Sequence, residues 1–298
     1  MDSATAPTGR ARVWLLAARL PTLPASIAPV LVGTAVAADE GEFRFPVFVA
    51  TLLAAVLLQV GANLANDYFD FRKGADTTER LGPLRVTQSG LASPAAVRLA
   101  ALVTFGVAAL LGLYLVSVGG WPVLAVGLAS IAAAILYTGG PWPFGYHGLG
   151  DLFVFVFFGL LAVPGTVYLH TDTVEGRALL AAIPVGATVT AILVVNNLRD
   201  IDTDRITGKR TLAVLVGARA TRLEYVGLLA LTYLLPAAAW MLGDLSAWVW
   251  LTWLTMPMAV YLARAVLAWE GRALNRALRD TARLHLLFGS LFALSFML

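Results

Sequence analysis

NDYFDFRKGAD, residues 66–76, closes a run of apolar residues that begins near position 45. About 20 apolar residues suffice to cross a bilayer, and this run is that long, yet it ends in Asp67, Asp70 and Asp76. Carboxylates are expensive beside hydrocarbon, so their presence at the end of a membrane helix marks a function unless something compensates them. Asn63, Asn66, Asp67 and Asp70 stand at i, i+3, i+4 and i+7, which is one face of a helix.

The rest of the chain places this stretch in a membrane. Of 298 residues, 59% are hydrophobic and 13% charged, against about 25% charged in a soluble domain. Nine apolar segments are predicted to cross or nearly cross a bilayer: 20–38, 45–66, 99–118, 121–137, 152–169, 178–198, 226–243, 246–263 and 282–298, the last being the shortest in reach. The expected fold is all-α, an integral membrane bundle of about nine transmembrane helices around a central cavity. The loops are too short for a soluble domain, so residues 1–298 are expected to form a single membrane-embedded domain. There is no cysteine, which excludes disulfides, thiolate metal sites and cysteine nucleophiles. Residues 1–18 do not read as a cleaved signal, because the first span carries Pro21, Pro24 and Pro29 and no clear cleavage site follows.

The distribution of charge sets the orientation. With the N-terminus inside, the segments 1–19, 67–98, 138–151, 199–225 and 264–281 are cytoplasmic. They and their flanks hold all of the 21 Lys and Arg residues except Arg44 and Arg177. The positive-inside rule then gives a cytoplasmic N-terminus and an external C-terminus. The net charge of +3 is thereby explained by topology and does not call for nucleic acid. Arginine far outnumbers lysine and alanine is abundant, which suggests a GC-rich bacterial genome and hence a plasma membrane.

A second acidic stripe lies in VVNNLRDIDTDRITGKRTL, residues 194–212. Asn197, Asp200 and Asp204 stand at i, i+3 and i+7, with Asn196 beside them. Both stripes close an even-numbered span, so both lie at the cytoplasmic face, and four spans separate them. That parallel arrangement suggests two four-helix halves facing each other across a cavity, plus one extra helix. Several carboxylates around one cavity repel unless cations intervene, and an oxygen-only set favours a hard cation such as Mg²⁺. Magnesium commonly bridges carboxylates to substrate phosphates. Basic groups follow each stripe: Arg72, Lys73 and Arg85 after the first, Arg205, Lys209 and Arg210 after the second. Carboxylates with basic side chains around one spot describe a site for a metal-bound diphosphate. Asp76, Glu79 and Asp202 lie off the stripes or beyond the helix, and simple solvation or ion pairing explains each equally well. His147, His170 and His285 are unclustered and read as structural; Arg98, Arg219 and Arg222 read as anchors.

At these residues the chain resembles the UbiA-type intramembrane prenyltransferases. That superfamily carries an N-D-x-x-D motif with a further Asp downstream, matched by Asn66, Asp67, Asp70 and Asp76. Its second motif, D-x-x-x-D, is matched by Asp200 and Asp204. The resemblance sharpens toward the MenA-like 1,4-dihydroxy-2-naphthoate polyprenyltransferase branch in residues 66–90, 137–151 and 196–217. One departure from the superfamily pattern is the six-residue gap from Asp70 to Asp76, a spacing that the branch shares.

The resemblance implies transfer of a polyprenyl group from polyprenyl diphosphate to 1,4-dihydroxy-2-naphthoate, with loss of carbon dioxide and diphosphate, to give demethylmenaquinone. Two Mg²⁺ ions would be held by Asp67, Asp70, Asp200 and Asp204, with Asp76 as a further candidate ligand. Arg72, Lys73, Lys209 and Arg210 would clamp the diphosphate, with Asn63, Asn66, Asn196 and Asn197 holding ligands, metals or metal-bound waters. Tyr68, Tyr137, Tyr146, Phe153 and Phe157 are candidates to face an allylic cation, although core or lipid packing suits each singly. GGPWPFGYHG, residues 139–148, is too rich in Gly, Pro and aromatics for a helix interior. It is expected to cap the acceptor entrance or to serve as an interfacial anchor, with Thr138, Tyr146 and Arg85 as carboxylate contacts. The loop 71–95 is expected to be a partly helical lid with a turn at Gly82–Pro83, and Gln88 facing the site. No protein partner is indicated beyond the surrounding lipid. The rival readings are a prenyltransferase with another acceptor, such as 4-hydroxybenzoate, and a membrane transporter. A transporter site sits nearer the bilayer midplane than these acids do.

Overall fold

The structure is a computed structural model and describes residues 9–75 and 81–298. All regular structure among the described residues is helical. A short helix α1 (Arg10–Ala18) leads through a 3₁₀ turn into α2 (Pro24–Asp39), and α3 (Phe45–Arg72) carries the first acidic stripe. After a connection described over 73–75 and over 81–93, the latter part being the crossing segment, come α4 (Pro94–Leu136), α5 (Gly150–Thr171) and α6 (Gly176–Ile206), which carries the second stripe. The chain ends with α7 (Leu212–Leu242), α8 (Ala247–Ala268) and α9 (Leu274–Met297).

Helix starts follow local chemistry. Ser93 accepts a hydrogen bond from the Ala96 N–H, with Pro94 at the first helical position of α4. Thr211 caps α7 in the same way through the Val214 N–H. Pro29, Pro122, Pro184 and Pro236 lie inside helices, as membrane helices allow when neighbours satisfy the freed backbone groups.

Six helices are long and apolar enough to cross a membrane, α3 to α8; α1 and α2, bent by 53° at their junction, make a seventh if counted as one span. Two features account for the gap between this count and the sequence expectation of nine. The 43 residues of α4 would extend about 65 Å if straight, twice the hydrocarbon thickness of about 30 Å. The helix is broken at Gly120, whose φ of 70° and ψ of −155° leave helical space, in the gap between the expected segments 99–118 and 121–137. The other feature is α9, whose first half carries Arg276, Arg279, Asp280 and Arg283 and is therefore too charged to count by composition.

Helix α3 packs most extensively on α4, and α6 on α7, so each acid-bearing helix is braced by the helix that follows it. The main apolar core joins α2 and α5 to α9 around Tyr225, Leu262, Phe288 and Phe292. Its buried hydroxyls are paired: Tyr225 with Thr281 at 2.9 Å and Tyr233 with Thr255 at 2.7 Å. A smaller cluster places Val86 of the crossing segment, fully buried, among Ala17, Leu64, Val97 and Ala101. Residues 81–93 form bends and turns, with a bend at Gly82–Pro83 and a turn over 86–90, and no helix. The expected partly helical lid is therefore irregular where it is described, and its Val86 and Thr87 N–H groups go to the Asp67 carboxylate.

Candidate active site

Between the helices lies a cavity of about 1420 Å³. Its walls are largely apolar, contributed mainly by α1 to α6 with one face of α9, and polar side chains gather where both stripes end: Asn66, Asp70, Asn196, Asn197, Asp200 and Asp204. The helical spacing read in the sequence therefore brings both motifs to one chamber. Asp70 is its centre of charge. Its Oδ2 accepts from Arg85 Nη2 at 3.2 Å, and its Oδ1 accepts from Lys209 Nζ at 3.3 Å and from the Tyr146 hydroxyl at 2.5 Å. One carboxylate thus gathers groups from three loops, two of them cationic. Asp70, Arg85 and Lys209 are all buried, and a buried charge needs such pairing.

Asp200 is held by a different cation. The Arg199 side chain, fully buried, donates from Nε to Asp200 Oδ1 at 2.8 Å and from Nη2 to Oδ2 at 2.5 Å. Arg199 also donates to Asn196 Oδ1 at 2.9 Å. Asp204 is half-buried on the cavity wall, and buried Asn197 lines the cavity beside it.

Other residues singled out in the sequence are placed elsewhere. Asp67 is buried but does not line the cavity; its carboxylate accepts from the Val86 and Thr87 N–H groups, both at 3.2 Å. Asn63 lines the cavity, but its amide N–H groups go to the Ala18 carbonyl and the Thr22 hydroxyl, both at 2.9 Å, fixing the corner between α1 and α2. Tyr68 and Arg72, at i and i+4, bond each other on a face of α3 away from the chamber. Lys73 donates to the Gly140 carbonyl at 3.2 Å and lies 5.1 Å from the Tyr146 ring centre; burial is the main cause that pulls its pKa below the ordinary lysine value. Arg210 is exposed, and its backbone N–H bonds the Tyr146 carbonyl. Gln88 is half-buried and off the cavity wall. Asp202 is exposed and pairs with Arg205 at 3.5 Å. Asp76 and Glu79 lie outside the described residues. Among the described residues no three acidic or histidine side chains are gathered closely enough to ligate one ion.

The Gly/Pro/aromatic loop folds over the chamber from α4 to α5. Tyr137, Thr138, Tyr146, Phe153 and Phe157 all line the cavity. Thr138 donates to Asn66 Oδ1 at 2.9 Å. Phe144 stacks on Phe153 at 3.9 Å between ring centres, Phe153 on Phe157 at 5.9 Å, and Tyr137 meets Phe144 edge-on at 5.4 Å. Phe157 lies in a π-helical turn, Phe155–Leu161, an irregularity that is frequent at functional sites. Gly145 is required by a close approach: a Cβ there would lie 2.7 Å from the Tyr137 carbonyl oxygen and 3.0 Å from its ring.

Sequence reasoning missed the contribution of α9. Asn275, Leu278, Arg279 and Ala282 stand at i, i+3, i+4 and i+7 and face the cavity. That spacing was the available signal, although a lone Asn on the last and most charged segment offers little to set it apart. Asp151, in the stretch 137–151, was also passed over; both its carboxylate oxygens are buried with no hydrogen-bond partner among the described residues.

A helical membrane bundle with a long apolar cavity that ends in an acid- and cation-lined chamber is the architecture of an enzyme acting on a lipid with a charged head. The UbiA prenyltransferase family model matches residues 26–290. The chain is 40% identical over 297 residues to the 1,4-dihydroxy-2-naphthoate octaprenyltransferase of Escherichia coli, covering 97% of this chain and 96% of that one. It is 42% identical over 273 residues to the Mycobacterium tuberculosis protein of the same name, covering 90% and 91%. Among solved structures, a UbiA homolog from Archaeoglobus fulgidus bound to DMAPP and Mg²⁺ matches with a TM-score of 0.66 at 15% identity, over 93% of this chain and 97% of that one. The chain belongs to the UbiA prenyltransferase family.

Proposed function

We propose that this protein transfers a polyprenyl group from polyprenyl diphosphate to 1,4-dihydroxy-2-naphthoate, releasing carbon dioxide and diphosphate and giving demethylmenaquinone. The observation that carries this reading is the continuity of the apolar cavity with the chamber around Asp70, Asp200 and Asp204. The acceptor follows the relatives from E. coli and M. tuberculosis, whose names specify the naphthoate and which align with nearly the whole chain.

The donor set fits Mg²⁺. The chamber offers carboxylate and amide oxygens, with no histidine or cysteine on its wall, which suits a hard cation. Asp70, Asp200 and Asp204 would hold it, with Asp67 and Asp76 as further candidates and two ions as the working number. When bound, Mg²⁺ supplies the positive charge that makes the diphosphate a good leaving group.

The protein's own groups do the rest. Lys209 and Arg85 stand at the chamber to bind the diphosphate oxygens, and Lys73 stands behind Tyr146. The apolar wall holds the prenyl chain and keeps water from the reacting carbon. The faces of Tyr137, Phe153 and Phe157 border the route along which a cationic allyl group is stabilised. The naphthoate ring attacks through its carboxylate-bearing carbon, and loss of carbon dioxide restores aromaticity, so no covalent enzyme intermediate is required. Thr138, Tyr146 and Arg85 are the groups placed to orient the acceptor. We assign the N-terminus and the chamber to the cytoplasmic side of a bacterial plasma membrane, on the distribution of basic residues. Nine crossings result if both arms of α4 and α9 span.

The test uses purified protein in lipid nanodiscs with Mg²⁺ and a radiolabelled polyprenyl diphosphate. The naphthoate and 4-hydroxybenzoate are offered in parallel, with EDTA as the control. Prenylated product from the naphthoate alone, lost with EDTA, is expected. Product from the benzoate alone would overturn the acceptor.

A further inference from the structure

The side-chain amide of Asn275 joins three distant parts of the chain at the acidic end of the cavity. Its Oδ1 accepts from Arg199 Nη1 at 2.9 Å, and its Nδ2 donates to the Leu81 carbonyl at 2.8 Å. Arg199 is the residue that grips both oxygens of Asp200. Leu81 begins the described part of the crossing segment, whose Gly82, Pro83, Leu84 and Arg85 line the same chamber. A single amide on α9 therefore links the second acidic stripe to the segment that follows the first.

The chemistry of the position is narrow. A primary amide presents an acceptor to the guanidinium and a donor to the carbonyl at once. A carboxylate keeps the acceptor and loses the donor. An alanine leaves a buried guanidinium N–H and a carbonyl without partners, the asymmetric situation in which a lost hydrogen bond is most damaging. The crossing segment has three other anchors, the Asp67 carboxylate, the Asp70 carboxylate through Arg85, and the buried Val86 side chain, and all lie on the α3 side. The Asn275 amide ties it by a hydrogen bond to α9, on the opposite wall.

We propose that Asn275 is a positioning residue for prenyl transfer: through Arg199 it fixes the orientation of Asp200, and through Leu81 it holds the 81–85 segment across the chamber. The catalytic half of this assignment rests on the function proposed above; the structural half does not.

The experiment compares Asn275→Ala and Asn275→Asp with the unaltered protein in nanodiscs. The first measurement is hydrogen exchange over residues 81–90, without metal or substrate. The second is the Mg²⁺ concentration for half-maximal transfer. Asn275→Ala is expected to exchange about tenfold faster in that segment, and to need about tenfold more Mg²⁺, each the equivalent of one lost buried hydrogen bond. Asn275→Asp keeps an acceptor for Arg199 and loses the donor to Leu81, so its exchange rises while its Mg²⁺ requirement does not. This variant separates the two links and serves where the alanine variant folds poorly. Unchanged exchange in both variants overturns the assignment. Faster exchange with an unchanged Mg²⁺ requirement in Asn275→Ala overturns the link to Asp200. Faster exchange in protein that transfers nothing to the naphthoate, even unaltered, condemns the proposed reaction and leaves the clamp standing.

Discussion

Tyr146 donates a 2.5 Å hydrogen bond to Asp70 while its ring lies 4.7 Å from the ammonium of Lys209, which bonds the same Asp70 oxygen. The phenol therefore sets both the carboxylate and the cation that share it. A hydrogen bond to a charged group contributes about 1.5–3 kcal/mol. Tyr146→Phe keeps the ring and removes that bond. The expected result is a fall in kcat/KM of roughly 10- to 150-fold in protein that still unfolds cooperatively at a lowered temperature, measured by transfer assay and by scanning calorimetry.

Asp67 acts through the backbone instead. Its carboxylate accepts two backbone N–H groups and does not line the cavity. Asp67→Ala leaves both buried donors unsatisfied, at about 1–3 kcal/mol each, so stability is expected to fall along with activity. Asp67→Asn retains one acceptor oxygen and should lie between. Full thermal stability in Asp67→Ala would contradict this role and return Asp67 to the chamber.

Gly145 has no room for a side chain between the Tyr137 carbonyl and ring. Gly145→Ala presses on the Tyr137 carbonyl and ring, an overpacking of about 1–3 kcal/mol. The KM for the naphthoate is expected to rise more than the KM for the diphosphate, because the chain neighbours of these two residues, Thr138 and Tyr146, are the groups placed to orient the acceptor. Equal rises would place the loop at the donor instead.

Lys73 supplies a pH dependence. Burial lowers its pKa, more than neighbouring Asp70 raises it. A lysine with a lowered pKa loses its charge at lower pH than usual, and with it goes one cation from the face of Tyr146, whose hydroxyl holds Asp70. Activity is therefore expected to fall on the alkaline limb as pH rises through the lowered value. Lys73→Arg, which keeps its charge, should move that limb to higher pH; an unmoved limb would show that the charge on the Tyr146 ring is not needed for transfer.

The sequence made the chamber legible because helical periodicity is a strict constraint. Asn66 and Asp70, one turn apart on α3, and Asn197, Asp200 and Asp204 on α6 reach the same cavity. The break in α4 was legible too, as the gap between two apolar segments where Gly120 leaves helical space. Contacts that depend on irregular backbone could not be read. No periodicity places Val86 and Thr87 under Asp67, and the helix of the first motif alone does not say that Tyr68 and Arg72 turn toward each other instead of the acids. The basic residues after each motif were grouped by proximity in sequence. In space, Lys209 reaches Asp70 across 139 positions, while its neighbour Arg210 stays outside. Asn275 shows the same limit, since a single polar residue acquires meaning only from what two other segments bring to it.

The apolar wall of the cavity has a kinetic consequence. Leu110, Leu113 and Leu128 of α4 line the cavity and are more than half exposed, so the apolar wall is continuous with the exposed apolar surface of that helix. Isoprenoid transfer to water costs about 0.8 kcal/mol per methylene, which closes the aqueous route to a long-chain donor and its product alike. Turnover then follows the two-dimensional density of donor in the bilayer. Diluting the donor with inert lipid at constant bulk concentration slows the enzyme, whereas diluting the whole suspension with buffer does not.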